Sequence, residues 1–150
     1  MIYIGIDPGL SGSIVWINSS ATVCYTKRFK DITNKELSVL MGDIRATNKN
    51  CCAIMENVHA FPGMGVSTVW KFAQNYGMLQ GLLLAHNIPF KLVTPQVWMG
   101  FYGMKRDKNE TKNVWKKRLR QKAQELFPTA DISAETADAI LIAEYARKNY

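Results

Sequence analysis

Apolar residues come in short β-rich runs over the first third of the chain and at helical spacing after it. IYIGID at residues 2–7 is closed by Asp-Pro-Gly, a turn signal, and GSIVWI and ATVCYTKRF follow as further β runs separated by Asn-Ser-Ser. Three such runs joined by short turns predict an antiparallel meander. From Thr33 to about Thr47 the positions Leu37, Leu40, Met41 and Ile44 recur at helical spacing, and CCAIMENV then reads as a buried strand. HAFPGMGVS is a loop, with Ser67 the predicted N-cap of a long helix whose stripe is Val69, Phe72, Ala73, Tyr76, Gln80 and Leu83. Gly77 and Gly81, one turn apart, predict close packing on that helix. FKLVTP reads as another strand, and Pro95 suits the first turn of a short helix through QVWMGFYG.

The last third has no glycine after Gly103. A helix is expected from about Glu110 to Phe127, with an apolar line at Val114, Trp115, Leu119, Ala123 and Leu126; Pro128 ends it, and a final helix spans about Ala134 to Lys148. Hairpin-linked strands followed by crossovers through helices predict an α/β domain on a mixed five-stranded sheet, three strands antiparallel and two parallel. The right-handed crossover rule sets the first strand beside the fourth and parallel to it, the topology called ribonuclease H-like. With 150 residues, the chain is expected to form one domain, residues 1–150.

Composition is ordinary for a globular protein, and the charge is not: 19 Lys and Arg against 12 Asp and Glu give +7. Its distribution sharpens the point. Residues 105–124 hold nine basic and two acidic side chains, whereas residues 125–150 hold two and five. Lys105, Arg106, Lys108, Lys112, Lys116, Lys117, Arg118 and Arg120 are therefore expected to track a phosphate backbone, next to an acidic segment that needs its own neutralisation. No targeting segment opens the chain, no apolar run is long enough for a bilayer, and the three cysteines have neither disulfide-framework nor zinc spacing. The expectation is a cytoplasmic protein of a bacterial or phage-infected cell that engages no membrane.

Four acids interrupt apolar surroundings. Asp7 ends the first strand and Glu56 the fourth, so parallel neighbours would project both from one end of the sheet. Glu135 and Asp138, three apart on the predicted final helix, would share a face. Taken singly, Asp7 fits a turn, Glu56 a strand end and Glu135 a helix start; their common location raises the joint claim. Converging acids need protons or a cation, and hard oxygen donors favour Mg²⁺, with Mn²⁺ a substitute. Two such ions are the standard arrangement for in-line phosphodiester displacement.

IGIDPGLSG, the acid closing CAIMEN, the FPGMGVST loop, LVTPQVW, LFP and ETADAILIAEYAR, in this order over residues 1 to 147, resemble the RuvC-type Holliday-junction resolvases, in particular the smaller phage and organellar-like branch. The resemblance implies a metal-dependent endonuclease, homodimeric, that cuts four-way DNA junctions symmetrically and leaves 5′-phosphate and 3′-hydroxyl ends. It maps the catalytic and metal-binding acids onto Asp7, Glu56, Glu135 and Asp138. The chain departs from the bacterial pattern at Glu135, where Asp is common. Phe61, on the loop after Glu56, is the candidate wedge at the branch point.

Two other classes compete. IGIDPGLSGS also resembles the first phosphate hairpin of actin-like and sugar-kinase ATP-binding domains, but those need a second glycine-bearing Asp motif and a second domain. A non-catalytic branched-DNA binder with the same fold is the closer alternative.

Overall fold

The computed structural model describes every residue except Val23, Phe61 and Pro62. Strands β1 (Ile2–Asp7), β2 (Ser13–Asn18) and β3 (Cys24–Arg28) form the meander, followed by a short 3₁₀ turn at Phe29–Asp31 and helix α1 (Asn34–Thr47). Then come β4 (Cys51–Glu56), α2 (Val66–Ala85), β5 (Phe90–Val93), α3 (Pro95–Phe101), α4 (Lys112–Leu126) and α5 (Ala137–Asn149). The sheet order is β3-β2-β1-β4-β5, with the first three strands antiparallel and β1, β4 and β5 parallel to one another. This is the mixed ribonuclease H-like sheet that the hydrophobic pattern predicts.

The period of two along each strand divides the core. Ile4, Ile6, Ile14, Ala53 and Met55 pack under α1 and α2, against Leu37, Met41, Ile44, Leu79 and Leu83. Tyr3, Val15, Ile17, Cys52 and Ile54 face the other way, toward Trp98, Trp115, Leu119, Phe127 and the buried side of α5. By the same alternation Asp7 and Glu56 belong to the α5 side.

Local chemistry explains where elements start. Thr33 and Glu36 form a reciprocal capping box at α1. Thr111 caps α4 through the Val114 N–H, so that helix begins at Lys112 rather than Glu110. α2 begins at Val66, ahead of the predicted Ser67 cap, because Gly65 has the extended entry geometry and its carbonyl accepts from the Thr68 and Val69 N–H groups. α5 starts at Ala137, three residues later than predicted. The Ser133 N–H donates to Thr136 Oγ1 at 3.0 Å and the Glu135 N–H to Ser133 Oγ at 3.2 Å, a hydroxyl-stabilised turn that competes with helix.

The predicted stripe on α2 is only partly correct. Leu79 and Leu83 are buried and Val69, Phe72, Tyr76 and Gln80 half-buried, whereas Ala73 lies on the exposed side. Gly77 and Gly81 also face open space, with nothing within 4 Å of where a Cβ would stand, so the close packing they predict does not occur within the chain. Among the described residues no helix is long and apolar enough to cross a membrane.

Candidate active site

Parallel pairing of β1 with β4 ends at Ile6 opposite Met55, and the next residue on each strand is the acid, Asp7 or Glu56. Asp7 is fixed by its own turn: its Oδ1 accepts the Gly9 N–H at 3.0 Å. Asn75 of α2 anchors the same turn, donating from Nδ2 to the Pro8 carbonyl at 2.8 Å. Glu56 is oriented from the opposite side, by the indole N–H of fully buried Trp98, which donates to Oε1 at 2.9 Å. Trp98 lies on α3 within the stretch LVTPQVW. Its positioning role is not readable from the sequence, where an apolar residue three positions after Pro95 signals only a buried helix face.

Asp138 arrives on α5, and glycine is what lets it approach. A Cβ at Gly5 would stand 2.2 Å from the Ala139 carbonyl oxygen and 2.3 Å from the Ala143 nitrogen, so α5 rests directly on the β1 backbone. That packing sets Asp138, in the first turn of α5, beside the C-terminal ends of β1 and β4.

The electrostatics follow from crowding these acids in a dry place. Burial, with Asp138 adding to it, raises the Asp7 carboxyl from 3.8 to about 6. Burial and then the charge on Asp7 raise Glu56 from 4.5 to about 7, against the Trp98 hydrogen bond, which favours the ionised form. Asp138 Oδ2 accepts from Lys116 Nζ of α4, while its other oxygen, Oδ1, is buried without a hydrogen-bond partner. Burial works against the charge on Lys116, but Asp138 and then Asp7 and Glu56 outweigh it and the ammonium is held more firmly than usual. Lys116 thus sits at the acids, although its sequence context predicts an open phosphate-tracking face.

Glu135 is not brought to the other three. It precedes α5, in the Ser133–Thr136 turn, so it shares no helix face with Asp138. Its carboxylate accepts from Lys30 Nζ at 2.6 Å and Arg28 Nη1 at 3.3 Å, and Lys30 above all holds it below the usual carboxylate range. Its backbone carbonyl is bound by the buried Ser13 hydroxyl at 3.0 Å, which fastens the turn to β2.

Oxygen-only donors, two carboxyls desolvated enough to shift their protonation and one orphaned buried carboxylate oxygen suit a hard divalent cation. Asp7, Glu56 and Asp138 are the residues that would hold it. Among the described residues, no three His, Cys, Asp or Glu side chains are gathered closely enough to hold an ion as they stand. A cleft of about 400 Å³ opens on Asp7 and Glu56, walled by Asn57, Met64, Phe72 and Pro95. The Asn57 Oδ1 accepts from the Tyr76 hydroxyl at 3.2 Å. Phe61 lies outside the described residues.

The basic residues fall into two groups. Arg118 binds both Glu110 carboxylate oxygens at 2.9 Å and stacks over Trp115, and Arg106 donates to the Glu110 carbonyl; these two knit the loop before α4 to the helix. Lys108, Lys112, Lys117 and Arg120 are exposed. Lys105, also exposed, gives only its backbone carbonyl to Arg118.

No protein-family model matches this chain, and no curated protein matches it in sequence. Its structure does find counterparts. Thermus thermophilus RuvC in complex with a Holliday junction substrate superposes with a TM-score of 0.67 at 13% identity, over 99% of this chain and 96% of that one. A second Thermus thermophilus RuvC structure gives a TM-score of 0.58 at 15% identity, over 95% and 91%. At these identities the likeness is one of architecture: from end to end, the chain is built on the RuvC form of the ribonuclease H-like fold.

Proposed function

We propose that this protein is a divalent-metal-dependent endonuclease that resolves four-way DNA junctions, working as a homodimer and leaving 5′-phosphate and 3′-hydroxyl ends. The observation that carries the reading is the desolvated trio Asp7, Glu56 and Asp138 at the C-terminal ends of β1 and β4, the edge where ligand sites of open α/β sheets lie. Fold alone would not suffice, because one fold hosts many activities. The neighbour's junction-bound state makes branched DNA the substrate class to test first.

When bound, a pair of Mg²⁺ ions would activate a water and stabilise the leaving oxygen. The chain's own residues supply the rest. Asp7 and Glu56 present carboxylates whose directions are set by the Gly9 N–H and the Trp98 indole, so little reorganisation is needed on binding. Lys108, Lys112, Lys117 and Arg120 offer exposed charge for the phosphate backbone, which gives affinity without sequence preference.

The dimer is supported by α2. Val66, Trp70, Ala73, Gly77, Gly81 and Leu84 fall on one face of that helix and all are exposed, Val66 at 86% and Trp70 and Leu84 at 66% each. Lys71 is the one charged residue in the 20-residue helix. An uncharged apolar and small-residue face of that length suits a second helix packed closely against it.

The test is incubation of the protein with a four-way junction and with linear duplex, each with and without Mg²⁺. Paired symmetric nicks confined to the junction and dependent on the metal are expected, with Asp138→Asn abolishing cutting but retaining binding. Tight junction binding by the wild type without any cutting would move the assignment to a non-catalytic branched-DNA binder.

A further inference from the structure

Lys116 is unlike the other basic residues of α4. Its neighbour Trp115 is buried with Leu119 and Ala123 at the core, which holds the backbone of α4 in place, and Lys116 lies at the flank of that buried stripe. Its long stem reaches α5, where the ammonium pairs with a carboxylate only 9% exposed while the lysine side chain is 34% exposed. The same ammonium acts electrostatically on Asp7 and Glu56. It therefore offsets the mutual repulsion of three acids that the fold forces together.

A tethered single charge does this incompletely. One oxygen of Asp138 is engaged and the other is buried with no partner. No three acidic side chains among the described residues close on a common point. A divalent ion has twice the charge and can use both oxygens, and the half-exposed, flexible lysine has a path back to solvent.

We infer that Lys116 is the built-in counter-cation of the metal-free site, and that a divalent ion binds by displacing its ammonium from Asp138. Metal affinity is then set by competition with this side chain. The inference rests on the reading of Asp7, Glu56 and Asp138 as metal-binding acids, and deepens it.

The test uses Mn²⁺ titrated into the full chain without DNA, with free Mn²⁺ followed by electron paramagnetic resonance and unfolding temperature measured in parallel. Lys116→Met is expected to bind Mn²⁺ about tenfold tighter or more, because the site loses both the competitor and a positive charge. It should also unfold at a lower temperature in chelator, and regain more than the wild type does when Mn²⁺ is added. Lys122→Met removes the same charge from α4, where it pairs with Glu125, and is expected to leave Mn²⁺ affinity unchanged. Lys116→Arg preserves the charge and the fold while grasping Asp138 with two N–H donors, so it is expected to weaken Mn²⁺ binding several-fold. Equal or weaker Mn²⁺ affinity in a folded Lys116→Met, or equal or tighter affinity in Lys116→Arg, overturns the inference alone. Wild-type affinity in Asp138→Asn overturns the metal-site reading with it. Tighter binding by Lys116→Met in a protein that never cuts junctions upholds the inference and defeats the nuclease reading.

Discussion

Asp7 and Glu56 are raised to about 6 and about 7, so in the metal-free protein their folded-state proton affinity exceeds that of the unfolded chain. The sign is fixed by that order. Between the ordinary values of 3.8 and 4.5 and the folded values, the folded state binds more protons than the unfolded state, so stability is greatest at the acid end of this window and falls as pH rises through it. In chelator, the unfolding free energy is expected to drop on the order of 3 kcal/mol between about pH 4.5 and 7.5, a change that denaturant titrations at several pH values would register. Glu56→Gln should flatten that slope, and Mg²⁺ should stabilise more at pH 7.5 than at pH 5. At this scale the strand-end acids were legible because polar residues closing apolar β runs are conspicuous. Glu135 and Lys116 were not. Which way each points is decided by partners far away in the chain, Arg28 and Lys30 for Glu135 and Asp138 for Lys116.

α5 owes its position to one missing methyl group. A side chain at Gly5 would collide with backbone atoms of Ala139 and Ala143, which cannot rotate aside as a flexible side chain can. Gly5→Ala is therefore expected to push α5 from the sheet, to cost about 3 kcal/mol of stability and to abolish metal-dependent cutting by displacing Asp138. Thermal unfolding and the junction assay together check both consequences. The strands and α1 were readable from periodicity and turn chemistry, since their patterns are local. The starts of α2 and α5 were displaced because hydrogen bonds to Gly65 and among Ser133, Glu135 and Thr136 choose between equally helical sequences.

Over the whole molecule, the basic surface and the exposed face of α2 lie outside the core and bear on assembly. Lys112→Ala, Lys117→Ala and Arg120→Ala combined should lower the slope of log affinity against log salt by about 0.9 for each phosphate no longer neutralised, while Arg118→Ala, which breaks a pairing with Glu110, should chiefly lower stability. Junction-binding isotherms across a salt series separate the two. A charge set into the α2 face, as in Gly77→Arg or Trp70→Glu, is expected to convert a dimer to a folded monomer in sedimentation velocity. A wild-type protein that sediments as a monomer would leave that face to another role.

What the amino-acid sequence by itself determined is the order of elements, the mixed sheet, the strand-end acids Asp7 and Glu56, and the segregation of basic from acidic segments. These rest on local periodicity, turn residues and charge counts, which need no knowledge of distant neighbours. Only the tertiary structure decided that Asp138 but not Glu135 joins the strand acids, that Trp98 aims Glu56, that Lys116 belongs to the acids while Arg118 ties down a loop, and that Gly77 and Gly81 face outward. Each of those depends on which surfaces meet when α3, α4 and α5 close over one face of the sheet and α1 and α2 over the other. The +7 charge is thus divided by folding: one lysine is drawn inward to balance acids that the core has desolvated, and the exposed bases remain available for an anionic partner.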